Sequence, residues 1–267
     1  MLALDFDGVV CDSFREVLAT ALATYEIMTP ESRLVTELRA RVGVGCWHAL
    51  DLATDPIAPP FEALVPLGNR AEDFGVALRA IENGAVIDDQ RAYDAYFVSI
   101  DRSWMRDFHR SFYDQRASAR VRDLDGWIGL HAGYTPFLNL LRRHAGDLRV
   151  AIATARDGRS AQLLLDHLGV DDIVDPMLIL DKETGVSKTA HLAAIQDRAG
   201  VSFSEITFVD DKVNHLVRVA PLGVRPVLAG WGFNGEREHE TARTLGFAVA
   251  NFGNAERVLY GGGRHRG

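Results

Sequence analysis

Met1-Leu2-Ala3-Leu4-Asp5-Phe6-Asp7-Gly8-Val9-Val10-Cys11-Asp12-Ser13 opens the chain. A short apolar run ends in Asp-x-Asp-Gly. The pattern predicts a buried strand whose last side chains emerge at a sheet edge. Asp5 and Asp7 are two residues apart, so on a strand their carboxylates point the same way. Like charges this close repel, and one of them titrates high unless a cation joins them. The pair therefore calls for a metal, a proton-transfer role, or both.

Outward from this strand, the rest of its sheet lies far along the sequence. From about Thr135, strand-like and helix-like segments alternate. Strands are expected at Arg149–Ala153, Met177–Leu180, Ile206–Val209 and Arg225–Leu228. Helices are expected at Ser160–Leu168, stopped by Gly169, and at Lys188–Ala199, capped by Ser187 and ended by Gly200. A short helix is expected at Asn214–Ala220. Such alternation predicts a parallel sheet covered on both faces. Between Phe14 and Gly129 the patterns are helical instead: Arg15–Tyr25, Glu31–Val42 and an aromatic-rich run from Arg91 to about Arg116. The stretch Asp55–Pro66, with four prolines, is expected as a loop. The fold class is therefore α/β, with residues 1–14 and 130–267 as a Rossmann-like parallel-sheet core and 15–129 as an inserted helical domain. The glycine-rich tail 261–267 is expected to be mobile.

Composition narrows the function classes. The 267 residues, 47% hydrophobic and 25% charged, suit an ordinary globular protein with a sizeable core. Cys11 and Cys46 are the only cysteines, so no disulfide framework is expected and a reducing cytoplasm is the expected home. No stretch is long and apolar enough to predict a membrane span. The first residues read as a core strand without a basic leader, so no signal peptide is expected. A net charge of −8 with no basic block argues against nucleic-acid binding. A monomer or homodimer is expected.

Ligands of open parallel sheets bind at the carboxyl ends of the strands, and the polar residues cluster there. Asp5 and Asp7 close the first strand, and Thr154, Ala155 and Arg156 close the second. Asp210 and Asp211 close the Ile206–Val209 strand. Lys188 begins a helix after Gly185-Val186-Ser187. This set resembles the four motifs of the haloacid dehalogenase-like (HAD) hydrolase superfamily. Asp5-Phe6-Asp7-Gly8-Val9-Val10 matches the first and Val150-Ala151-Ile152-Ala153-Thr154 the second. Val186-Ser187-Lys188-Thr189 matches the third and Phe208-Val209-Asp210-Asp211 the fourth. A helical insertion directly after the first motif resembles the C1 cap arrangement of that superfamily.

The resemblance implies an enzyme of the phosphatase kind, similar to phosphoglycolate phosphatases and acting on a small phosphorylated metabolite. It assigns Asp5 as a nucleophile that forms an aspartyl-phosphate. Asp7 would be the acid that protonates the leaving oxygen and then the base that activates water. The implied cofactor is Mg²⁺, held by Asp5, the backbone carbonyl of Asp7 and Asp211, with Asp210 either a direct ligand or one acting through water. Lys188 would offset charge on the phosphoryl oxygens and keep Asp5 ionised. Thr154 and neighbouring backbone N–H groups would bind the phosphate.

Several residues carry two readings. Lys182 also follows a strand and rivals Lys188. Arg156 is either a phosphate contact or the partner of a surface carboxylate. Asn214 either orients Asp211 or simply begins a helix. Cys11 reads as a small packing residue. Arg41 and the glycine-bearing stretch through Trp47 and His48 resemble the cap loop that reads the substrate; a helix-ending loop around a packed Trp explains the same residues. A β-phosphoglucomutase-like mutase would share every one of these motifs, returning the phosphoryl group to the substrate. A phosphate-binding module without turnover is the reading from a different class. A phosphonatase is disfavoured, since residues 14–129 hold no lysine.

Overall fold

The computed structural model describes residues 1–68, 70–185 and 187–261. Val186 of the third motif and tail residues 262–267, for which mobility is expected, lie outside the described residues. The chain divides into two compact units: Met1–Asp12 together with the chain from Ala132 onward, and Ser13–His131.

Among the described residues, the first unit holds eight strands: β1 (Leu2–Leu4), β2 (Cys11–Asp12), β3 (Ala132–Gly133), β4 (Val150–Ala153), β5 (Val174–Leu180), β6 (Thr207–Asp210), β7 (Arg225–Ala229) and β8 (Ala248–Ala250). Six of them form one sheet in the order β5-β4-β1-β6-β7-β8, every pairing parallel. β2 and β3 form a separate antiparallel pair. β1 lies in the middle, with Leu4 in register with Ile152 on one side and Val209 on the other. Leu2, Ala3 and Leu4 are wholly buried, which is why this strand reads as a continuous apolar run and not as an alternation. The chain leaves β1 first toward β4 and β5, then returns across β1 to β6. That reversal opens the crevice where ligands of such sheets bind.

The expected helices are present, with the expected stops. Asp157 caps Gly158–Leu168 and Gly169 ends it in the left-handed region. The Ser187 hydroxyl accepts from Ala190 N at 3.2 Å to open Lys188–Ala199, and Gly200 closes that helix. β5 begins earlier than expected and runs through Pro176. Its edge position explains this, because an edge strand tolerates a missing N–H. β8 and the helices Glu236–Thr244 and Ala255–Tyr260 complete the unit beyond the elements expected from sequence.

The second unit is helical. Its helices are Phe14–Met28, Arg33–Val42, Ala58–Leu64, Ala71–Glu82, Gln90–Ser99, Arg102–Arg122 and Leu124–Ile128. Two expectations need correction. Asp55–Pro66 is not a loop: prolines 59 and 60 sit in the first turn of Ala58–Leu64, where no backbone donor is required, and Phe61 and Leu64 are buried. The run from Arg91 to Arg116 is two helices, broken at Ile100–Asp101, where the Asp101 carboxylate caps the second through Trp104 N at 2.8 Å. Among the described residues, no helix is long and apolar enough to cross a membrane.

Candidate active site

Asp5 follows β1 directly. Its backbone N–H still joins the sheet, donating to Val209 O at 2.9 Å, and its Oδ1 accepts from Phe6 N at 2.7 Å. Lys188 Nζ, delivered by the first turn of its helix, lies 2.6 Å from the same Oδ1. The ammonium also donates to Ala153 O at 2.6 Å and lies 3.6 Å from Asp210 Oδ2. Three strand ends, those of β1, β4 and β6, thus meet at one buried cation. Lys182, the rival, instead lies 3.5 Å from the Glu183 carboxylate beside it. Burial pushes Asp5 up to about 7, with Asp210 and Asp7 adding to the rise and Lys188 pulling against it. Lys188 itself is raised: burial would lower it, and Asp5 and Asp210 outweigh burial.

Asp210 is wholly buried and amply bonded. Its Oδ1 accepts from Lys212 N at 2.9 Å, and its Oδ2 faces His215 Nδ1 at 2.9 Å. Burial alone would raise it, but His215, Lys188 and these hydrogen bonds hold it down at about 2. Burial lowers His215 below its ordinary value. At neutral pH its ring therefore gives Asp210 an N–H hydrogen bond, and Lys188 supplies the positive charge.

Asp211 presents the opposite situation. Its Oδ2 accepts from Phe233 N at 2.9 Å, while its Oδ1 is buried and, among the described residues, has no hydrogen-bond partner. Burial pushes this carboxyl well above its usual range, with Asp210 and Asp5 adding to the effect. Gly8, at φ +81°, runs so close to Asp211 that a side chain there would strike the carboxylate. The stretch Gly230–Asn234 packs on the same spot. Asn234 Nδ2 donates to Asp211 O and to Ala229 O, both at 2.9 Å, and Trp231 Nε1 donates to Val9 O at 3.1 Å.

Thr154 is wholly buried at the end of β4, and its Oγ1 accepts from Arg156 N at 3.1 Å. Ala155 between them is exposed. Arg156 is neither a surface residue nor in a surface pair. Its side chain is fully buried and its Nη2 lies 2.6 Å from Asp7 Oδ1, with Nε donating to Oδ2 at 3.3 Å. Asp7 therefore has a dedicated cation of its own.

The structure brings together Asp5, Asp7, Thr154, Ala155, Arg156, Lys188, Asp210 and Asp211 in the first unit. Arg41 belongs to the helical unit, where its Nη2 lies 3.4 Å from Asp55 Oδ1. In the same stretch Trp47 is buried and donates to Glu26 Oε2 at 2.8 Å, as the packed-Trp reading expects. Sequence reasoning did not single out His215, nor the Gly230–Asn234 stretch that holds Asp211. Nothing in the sequence separates His215 from an ordinary helix histidine. Gly230-Trp231-Gly232-Phe233-Asn234 after a strand was the available signal for the other.

The donor set fits a hard cation. Asp5, Asp210 and His215 offer ligand atoms within 4.8 Å of one another. That gap, however, is spanned by Lys188, and His215 is turned to Asp210. The unmet oxygen belongs to Asp211, and an unpaired buried carboxylate oxygen is costly without a cation.

Comparison with known proteins agrees with this layout. The family model for haloacid dehalogenase-like hydrolases matches residues 1–217. The chain belongs to the haloacid dehalogenase-like hydrolases. No curated protein sequence matches it. Among solved structures, it resembles a HAD-like family hydrolase from Streptococcus pneumoniae, at 12% identity and TM-score 0.62 over 97% of each chain. A protein from Haemophilus somnus 129pt, called a predicted phosphoglycolate phosphatase, aligns at 14% identity and TM-score 0.58, over 97% of this chain and 96% of that one. A HAD family hydrolase from Deinococcus radiodurans R1, solved with bound phosphate and sodium, aligns at 16% identity and TM-score 0.54, over 98% and 95%. At these identities the likeness speaks for the HAD fold.

Proposed function

We propose that this HAD-like hydrolase is a Mg²⁺-dependent phosphatase that cleaves a small phosphate monoester through an aspartyl-phosphate on Asp5. The observation that carries this reading is Asp7. Its carboxylate stands at the same strand end as the Asp5–Lys188 pair, partly exposed and held by Arg156. A halide leaves without a proton, so a dehalogenase has no use for an acid here; an alcohol leaves poorly unless its oxygen is protonated.

In the first step an Asp5 oxygen bonds to phosphorus as the bond to the leaving oxygen breaks. That oxygen keeps the electron pair and takes the proton from Asp7. In the second step the Asp7 carboxylate takes a proton from water, whose oxygen bonds to phosphorus. The bond to Asp5 breaks and both carboxylates return to their starting forms. Lys188 offsets charge on the phosphoryl oxygens. Thr154 accepts the Arg156 N–H, which leaves its own hydroxyl proton to be donated to the phosphate. Asp5, the Asp7 carbonyl and Asp211 would hold Mg²⁺, with Asp210 anchoring Lys188 from behind. Bound there, the ion would offset the negative charge gathered by the carboxylates and the phosphoryl group. The helical domain expected at 15–129 would be the cap, with Arg41 its candidate substrate-binding residue.

The test is release of inorganic phosphate from an aryl phosphate, with and without EDTA. Turnover that EDTA abolishes and Mg²⁺ restores is expected, with Asp5→Asn at least about 1,000-fold slower. Metal-independent turnover, or full activity of Asp5→Asn, would sink the reading.

A further inference from the structure

Arg156 is a costly residue for its position. A fully buried guanidinium must be repaid by close, well-aligned partners. Its Nη2 meets Asp7 Oδ1 at 2.6 Å and its Nε reaches Oδ2 at 3.3 Å, a two-pronged arrangement that fixes the carboxyl group's plane as well as its place, while the longer prong leaves Oδ2 able to carry the proton. The guanidinium itself is held. Its carbon lies 5.8 Å over the Phe6 ring, its backbone N–H is tied to Thr154 Oγ1 at 3.1 Å, and its carbonyl accepts from Lys182 N at 3.2 Å. Asp7 is the less enclosed partner, with 28% of its side chain exposed against none for Arg156. The rigid member of the pair is thus the arginine, and the member that meets solvent is the carboxylate.

We propose that Arg156 is a positioning residue for Asp7: its buried guanidinium sets the orientation in which Asp7 hands its proton to the leaving oxygen. The inference rests on the phosphatase reading and adds a role to it. A carboxylate left to rotate at a strand end would spend little time aligned with the leaving oxygen, and misplacement of a catalytic group is expensive. The role differs from that of a phosphate contact. A contact would weaken every phosphate ligand alike, whereas a positioning residue matters only as far as the leaving group needs a proton.

The test uses that difference. The value of kcat/KM reports the steps through cleavage of the leaving group, so it isolates the acid role of Asp7 from its later role as base. It would be measured for p-nitrophenyl phosphate, whose phenolate leaves without a proton, and for β-glycerophosphate, whose alkoxide does not. Arg156→Gln is expected to lower kcat/KM for β-glycerophosphate by about 100-fold, the scale of a lost general acid, and for p-nitrophenyl phosphate by less than about 5-fold. Inhibition by inorganic phosphate should stay within about 2-fold of wild type. Arg156→Lys keeps the charge without the two-pronged geometry and should show the same skew. It carries the test if Arg156→Gln fails to melt cooperatively. Equal losses on both esters, or phosphate inhibition weakened as much as turnover, would overturn the positioning role while the phosphatase reading stands. Wild-type protein that hydrolyses neither ester would overturn both.

Discussion

Asp5 and Lys188 each lie buried where neither would stay charged alone, and the 2.6 Å contact makes each the other's solvation. The loop that delivers Lys188 is held from below by His191. Its Nε2 donates to Asp181 O and Gly185 O, at 3.0 and 2.9 Å, leaving Nδ1 bare and without a partner among the described residues. Burial first, and then Lys188, pushes His191 down to about 4. In the unfolded chain it takes up a proton near 6.5. Between those values the unfolded state binds a proton that the native state refuses, so stability falls as pH drops from about 6.5 to 4 and is fully present above that window. The full effect is on the order of 3 kcal/mol. His191→Gln keeps a donor and removes the titration. Urea denaturation across that pH range should show a shallower loss than wild type, and an unchanged slope would contradict the assignment. At this scale, the meeting of Asp5 and Lys188 at one strand end, with Asp7 just beyond, was legible because it depends on local strand-end and helix-start patterns. Arg156 was not, since what defines it is a partner the chain folds back to meet; His215 pairs with Asp210 only five positions before it, but no motif marks that spacing. Arg156 stands 149 positions from Asp7.

Elements also meet through distant pairs. In the helical unit, Glu16 of Phe14–Met28 and Arg116 of Arg102–Arg122 are joined in a buried pair, Nε to Oε1 at 2.8 Å and Nη2 to Oε2 at 2.7 Å. Thr20 donates to the same carboxylate at 2.9 Å. Glu16→Gln removes one charge and leaves the guanidinium buried without its counter-ion, which is expected to cost about 3–5 kcal/mol. Chemical denaturation would measure it, and a loss below about 1 kcal/mol would show that water compensates the arginine. In the first unit, Gly232 allows the Gly230–Asn234 stretch to close on Asp211. A side chain there would meet Gly8 O and the Asp211 Cβ. Gly232→Ala should therefore lift Phe233 N off Asp211 and raise the Mg²⁺ concentration needed for half-maximal activity by about 10-fold or more, the scale seen when a supporting hydrogen bond to a ligand is lost. An unchanged Mg²⁺ requirement would mean that Asp211 does not depend on this loop. Helix ends such as Ser187 and Gly200 were readable from single residues. The Ala58–Leu64 helix was not, because its prolines signal a breaker unless their place in the first turn is known.

Over the whole molecule, the alternation of strands and helices after residue 135 foretold an α/β sheet, and the isolated apolar strand at the start foretold an insertion. The strand order was beyond the sequence. Placing β1 between β4 and β6 is a matter of which buried faces fit together, not of any local pattern. That order is what gathers Asp5, Asp7, Thr154, Lys188, Asp210 and Asp211 at one sheet edge, with Asp5 on the central strand. The most direct measurement is to quench the protein with acid during turnover of an alkyl phosphate with Mg²⁺ and map the adduct by peptide mass spectrometry. A phosphoryl group is expected on the Asp5 side chain, absent in Asp5→Asn and absent when Mg²⁺ is withheld. Steady turnover with no phosphoryl group on Asp5, or with one on another residue, would contradict it.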